Sequence, residues 1–275
     1  MPQQKAPSIV AAEFKKPKDA VFVVRYELGE DGKGRLRLEG LVDKDEPGNS
    51  DETVVSDYYL KKYFVLGTRY KLFQAGAAAG SAEITDVAEA TCITKSGVAK
   101  AETTVRLDLE NYALATNGAQ VTTHLRTRRE PNEQEKAAAV ARVRRFLQAR
   151  GIPAADLRKV EVKHLVSTTL GKTEARFLLG SFQLQTDTHV HKLFVIFALG
   201  GDGARIELGN YSSNTKLQED EQPGVEELVD QLDIDGDGVD EIVTISPGAE
   251  AYSYPVYQRR GNRWVRVTRG VGGGC

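Results

Sequence analysis

The segment Arg35-Leu36-Arg37-Leu38-Glu39-Gly40-Leu41 alternates charged and apolar residues, so every second side chain would share one face of an extended chain. Ahead of it, Ala20-Val21-Phe22-Val23-Val24-Arg25-Tyr26-Glu27-Leu28 is rich in β-branched and aromatic residues, and Gly29-Glu30-Asp31-Gly32-Lys33-Gly34 between them is a turn sequence. Together they predict a β-hairpin. Shorter apolar runs predict further strands over residues 63–66, 70–73, 82–87, 103–109 and 121–125. The pattern then changes to a helical period. Val140, Val143, Phe146 and Leu147 form a stripe, Pro131 with Glu133 and Glu135 opens the segment, and Gly151 and Pro153 close it. A short second helix is expected over 154–159. Extended patterning returns as two hairpins, 192–199 with 204–208 around Gly200-Gly201-Asp202-Gly203, and 252–258 with 264–267 around Gly261-Asn262.

These elements predict a mainly β chain with a central helix, bordering on α+β. A polar arm (1–17) leads into an N-terminal β-sandwich or barrel-like domain (18–128). A helical connector (129–159), a C-terminal β-repeat domain (160–270) and a glycine-rich tail (271–275) follow. The C-terminal part carries an internal echo. Leu165-Val166 and Phe177-Leu178-Leu179-Gly180-Ser181 occupy the places of Leu228-Val229 and Glu241-Ile242-Val243-Thr244-Ile245, each followed by one of the two hairpins.

Between the paired segments of the second copy lies Asp233-Ile234-Asp235-Gly236-Asp237-Gly238-Val239-Asp240-Glu241, five carboxylates in nine residues. Charges so crowded repel one another unless a cation sits among them. Alternating Asp side chains on a glycine-bent loop suit Ca²⁺, which takes about 6–8 oxygen ligands at about 2.3–2.6 Å in a tolerant geometry, whereas Mg²⁺ demands a tighter octahedron. An EF-hand would place Glu at its twelfth position between helices. Here that position is Thr244, inside the strand-like Ile242-Val243-Thr244-Ile245-Ser246. The metal turn therefore opens a strand. Asp233, Asp235 and Asp237 would give side-chain oxygens, Val239 its carbonyl and Glu241 the closing carboxylate, while Gly236 and Gly238 allow positive φ. Asp240 is out of phase with the ligands and is expected to point outward or to act behind them.

Asp233, Asp235, Asp237, Gly238 and Glu241 follow the pattern Asp-x-Asp-x-Asp-Gly-x-x-Asp/Glu, and in this the chain resembles the calcium-binding hairpin loop of FG-GAP/VCBS-type repeats. The resemblance covers roughly the last fifty residues. It implies Ca²⁺ as ligand and blade-like β-hairpin repeats of the kind that build integrin-α-like propellers and many exported bacterial proteins. In the upstream copy Thr169, Gly171 and Thr173 stand where the three aspartates would be, so that loop is expected to fold alike and hold no metal.

Composition narrows the partners. The net charge of −2 gives no reason to expect nucleic acid, and no apolar run reaches the ~18–20 residues of a membrane helix. Only Cys92 and Cys275 are present, so one disulfide is conceivable and a cysteine-rich zinc site is not. The calcium turn suggests an exported protein, periplasmic, surface-bound or secreted, with its signal peptide absent from the sequence given.

Other chemistry is less defined. His189 and His191, with Asp187, alternate on one strand face and are zinc-ligand types, though a third or fourth ligand would come from elsewhere and His124 and His164 have no assigned place. The acidic stretch 43–52 lacks ligand spacing. Tyr58, Tyr59, Tyr63, Phe64 and Tyr70 would line either a groove or a strand core, and Arg142, Arg144, Arg145 and Arg150 would ring the helix. The leading expectation is a non-enzymatic calcium-binding protein that presents a surface to a protein or carbohydrate partner. The alternatives are a hydrolase whose site assembles only in three dimensions, and a subunit of a cell-surface assembly.

Overall fold

The computed structural model describes residues 19–28, 34–43, 58–87, 96–103, 112–118, 121–125, 127–200, 203–215, 224–248 and 251–270. The first hairpin forms as its alternation predicts, β1 (Val21–Leu28) pairing antiparallel with β2 (Gly34–Val42). With β3 (Arg69–Gln74), β4 (Ala77–Val87), β5 (Ser96–Thr103) and β6 (Ala113–Thr116) they close a barrel in the order β1-β2-β5-β4-β3-β6. Phe22 and Val24 point inward to Leu36, Leu38, Leu72 and Ile84.

Residues 63–66 are not a strand. Residues 58–62 are helical, Tyr63 and Phe64 both donate backbone N–H to the Tyr59 carbonyl, and the chain then turns. Tyr59 and Phe64 enter the barrel core, where they fill space that only glycine leaves open. A Cβ on Gly40 would lie 2.5 Å from the Tyr59 ring, and one on Gly97 2.7 Å from that of Phe64. The aromatic cluster is thus core, with Tyr58 and Tyr63 at its margin. Residues 121–125 are not a strand either, and are held by an isolated bridge from Thr122 to Asp233. Of 103–109, Thr103 ends β5 and the rest falls outside the described residues. So do Cys92, Cys275, the arm, the tail, the first hairpin turn, and most of the acidic stretch 43–52.

Beyond the barrel, Asn132 caps α1 (Glu133–Gln148) by accepting from the Glu135 N–H, while Glu135 accepts from the Asn132 N–H. The short α2 (Ala154–Leu157) follows. Then β7 (Glu161–Thr169), β8 (Arg176–Gln185), β9 (His189–Gly200) and β10 (Gly203–Thr215) form one antiparallel sheet. A second is formed by β11 (Glu227–Leu232), β12 (Glu241–Pro247), β13 (Tyr252–Arg260) and β14 (Arg263–Gly270). The two have matching pairings, Leu165 opposite Gly180 in the first and Leu228 opposite Thr244 in the second. Residues 160–181 are therefore strand, turn and strand, in the order the internal echo requires.

The parts stack in layers. Val21 and Val23, on the outward face of β1, join Leu41, Phe73 and Leu114 against Val229, Leu232, Val243, Tyr254 and Val256 of the last sheet. Burying each such valine contributes about 1.5–3 kcal/mol. On the opposite face of that sheet Leu228, Ile242, Tyr257 and Trp264 meet Val166, Phe177, Leu179, Phe194 and Ile196. The far face of the first sheet receives Ala139, Val143 and Leu147 of α1. Helix and barrel thus cap the outer faces of the two-sheet stack. Among the described residues no helix is long and apolar enough to cross a membrane.

Candidate metal centre

The acidic turn leaves β11 at Leu232 and enters β12 at Glu241, the place that Leu170 to Ala175 hold between β7 and β8. Its shape is set by its own carboxylates. Asp233 Oδ1 and Oδ2 accept from Gly236 N–H (2.8 Å) and Gly238 N–H (2.9 Å), Asp235 Oδ1 from Asp237 N–H (3.0 Å), and Asp237 Oδ1 from Val239 N–H (2.8 Å). Gly236 and Gly238 have φ of +79° and +95°, as the tight turn needs. The result is convergence: one carboxylate oxygen from each of Asp233, Asp235 and Asp237 lies within 4.8 Å of the others.

Glu241 stands behind them. It is 1% exposed, and its Oε2 accepts from Ile234 N–H at 2.8 Å. Gln258, from the neighbouring strand β13, donates to Asp235 Oδ2 (3.0 Å) and Glu241 Oε1 (3.3 Å) and so holds the two carboxylates together. Burial, and then the adjacent Asp235, push the Glu241 carboxyl up to about 8. Burial raises Asp233 too, against the pull of its two N–H donors. This donor set fits a hard divalent cation, which would supply the positive charge that the crowded carboxylates otherwise lack. Val239, expected to offer its carbonyl, lies on the same turn, half-buried.

Asp240 does not point outward. It is fully buried on the side facing the barrel, where Oδ2 accepts from Gln231 Nε2 (3.0 Å) and lies 2.6 Å from His124 Nε2. Three distant segments converge here. The β3–β4 turn, Ala75 and Gly76 with φ of +53° and +75°, inserts its tip against β11. Ala75 N–H donates to Asp230 Oδ1 (2.8 Å) and Gly76 N–H to the Gln231 carbonyl (3.0 Å). Residues 121–125 cross as a strap, Thr122 N–H donating to the Asp233 carbonyl and His124 N–H to that of Gly76. Arg128 pairs with the fully buried Asp230 at 2.6 Å. From the upstream copy, Lys172 N–H donates to the Gly238 carbonyl at 3.1 Å. Thr169, Gly171 and Thr173 bring no carboxylate there, and a Cβ on Gly171 would stand 2.1 Å from the Gly238 carbonyl.

The remaining candidates lie apart. His189 and His191 share one face of β9, but Asp187, His124 and His164 are not gathered with them, since the trio of Asp233, Asp235 and Asp237 is the one group of three converging ligand types among the described residues. His164 is in β7, its Nε2 buried without a partner. Gly200 and Gly203 pair across the β9–β10 turn, as a hairpin requires. Of the arginines on α1, Arg144 donates to the Leu157 carbonyl and Arg150 stacks on Phe146. An open cleft of about 630 Å³ is lined by Asn132, Glu135, Glu174, Arg176 and Leu199, among others. Gln258, His124 and Thr122 were not legible as site residues, because each reaches the turn from elsewhere in the chain, and Gln231, two residues before Asp233, looks like an ordinary strand residue. No family model matches the chain, and no curated protein or solved structure is similar to it.

Proposed function

We propose that this chain is a calcium-binding, exported protein in which Ca²⁺ plays a structural part, held by Asp233, Asp235, Asp237, the Val239 carbonyl and Glu241. The observation that carries the reading is the convergence of the three aspartate oxygens within 4.8 Å on a turn tied to both sheets and to the barrel. A cation there neutralises a carboxylate cluster at the place where the two sheets and the barrel meet. It thereby rigidifies the tip of the acidic turn, exposed at Gly236 and Asp237, as the part of the last sheet open to a protein or carbohydrate partner. The strand-opening position of the turn and the paired four-stranded sheets favour kinship with FG-GAP/VCBS-type repeats. Export is proposed from the resemblance of the turn to those of exported proteins, since weak calcium sites fill readily where Ca²⁺ is millimolar and extracellular modules bind at about 10⁻⁴–10⁻³ M.

Calorimetric titration of the wild type and of Asp235→Ala with Ca²⁺ and Mg²⁺ tests the proposal. The wild type should bind one Ca²⁺ in preference to Mg²⁺, and the variant should lose that binding. Identical isotherms for the two proteins would contradict the assignment.

A further inference from the structure

Away from the acidic turn, β9 presents two imidazoles side by side. His189 and His191 are two residues apart and alternate with the buried Val190 and Lys192, so both stand on the face of the sheet that α1 partly covers. Their rings stack, with centroids 6.1 Å apart and planes 21° from parallel. Each ring is oriented by a hydroxyl on the same nitrogen. His191 Nδ1 lies 2.9 Å from Tyr211 Oη, and His189 Nδ1 lies 2.9 Å from Thr188 Oγ1. Tyr211 stacks on His191 within 11° of parallel and is itself covered by the Arg150 guanidinium, which pins the array at its inner end.

That arrangement has a chemical consequence. With Nδ1 engaged on both rings, Nε2 is the nitrogen that remains on each, and neither Nε2 makes a hydrogen bond among the described residues. Metal-bound histidines are held in this way, one ring nitrogen fixed by an oxygen so that the other carries its lone pair toward the ion. Chelation needs the exposed His189 ring to turn and give up its Thr188 contact, so that its Nε2 joins that of His191 on one ion at metal–nitrogen bonds of about 2.0–2.1 Å, while Tyr211 keeps the His191 ring in place. We propose that His189 and His191 form a two-imidazole chelate for a borderline divalent transition-metal cation, such as Ni²⁺, Cu²⁺ or Zn²⁺, with water completing its coordination. Imidazole nitrogen selects this class of ion, while the carboxylates of the acidic turn select hard cations, so the two sites differ in chemistry and the second does not depend on the first.

The test is calorimetric titration with NiCl₂ of the protein saturated with Ca²⁺. The wild type should bind one Ni²⁺ at this site. His189→Gln and His191→Gln should each weaken it at least tenfold, and Tyr211→Phe by less. His189 is exposed and His191 half-buried, so each variant is titrated after its thermal melt shows that it is folded. An isotherm shared by the wild type and the His189→Gln/His191→Gln double variant, or no Ni²⁺ binding by the wild type, would overturn the proposal.

Discussion

His124 Nε2 lies 2.6 Å from the Asp240 carboxylate, while its Nδ1 lies 2.9 Å from the Leu125 carbonyl. Both partners are acceptors, so both ring nitrogens donate and the ring is held as an imidazolium. The hydrogen bond to Asp240 raises it above its ordinary value, outweighing burial. The pair joins the strap after the barrel to the residue that precedes Glu241, and Gly76 lies beneath it. A Cβ on Gly76 would meet His124 Nε2 at 2.1 Å.

Breaking a buried ion pair from one side leaves the other charge unpaired, at a cost of about 3–5 kcal/mol. His124→Gln and Asp240→Asn should therefore each destabilise the protein by about 3 kcal/mol in urea unfolding. Their effect on Ca²⁺ affinity should be small beside that of Glu241→Gln. If Asp240→Asn removes calcium binding as fully as Glu241→Gln, Asp240 is a ligand and the turn is misassigned.

A second polar cluster couples barrel and sheets. Glu39 of β2 is 2% exposed and accepts from Tyr252 Oη (2.8 Å) and Tyr254 Oη (2.6 Å) of β13, with Arg25 at 2.7 Å. Together with the shared apolar layer, this predicts that calcium protects more than its own turn. In hydrogen exchange, residues 228–268 should gain most, and residues 73–76 and 121–125 should gain with them, while the far side of the barrel changes little. Protection confined to the turn would show that the strap and the β3–β4 tip are not coupled to it.

The acidic turn was legible because its carboxylates are local, five of them with two glycines in one run. The first hairpin and α1 were legible for the same reason, through alternation and the stripe of Val143 and Leu147. By contrast, β5 and β6 carry Gly97, Ala99, Ala113 and Ala115, small residues whose place is set by bulky neighbours such as Phe64 rather than by any pattern of their own. Residues 63–66 and 121–125 look extended, yet Phe64 is needed in the barrel core and residues 121–125 are needed as the strap. Asp240 could not be placed outside or inside without knowing of His124, 116 residues away.

The upstream turn, though without carboxylates, should govern calcium affinity through Gly171. That residue has φ of +77°, and an added Cβ would be 2.1 Å from the Gly238 carbonyl. Gly171→Ala should weaken Ca²⁺ binding by about tenfold or more, as the acidic turn shifts to admit the methyl. Gly67→Ala is the control, since Gly67 has φ of +82° but nothing within 4 Å. Equal calcium affinities in the two variants would show that the turns act independently.

Two histidines should give stability opposite pH dependences. Burial, and then nearby Arg128, lower the His164 imidazole. The unfolded chain therefore takes up that proton first, and stability falls as pH drops through about 6.5. His124 is raised, so its contribution is complete below about 6.5 and is lost as pH rises through its folded value. Urea unfolding between pH 5 and 8 should show His164→Leu losing less stability than the wild type toward acid, and His124→Gln losing less toward alkali. Parallel curves for all three proteins would contradict both assignments.

Calcium in the acidic turn is tested most directly by a crystal structure grown with millimolar CaCl₂ and measured for the anomalous signal of the ion. The account predicts one Ca²⁺ at about 2.3–2.6 Å from oxygens of Asp233, Asp235, Asp237, the Val239 carbonyl and Glu241. It also predicts that Asp240 remains on His124. A turn without an ion under those conditions, or an ion held without Glu241, would contradict it.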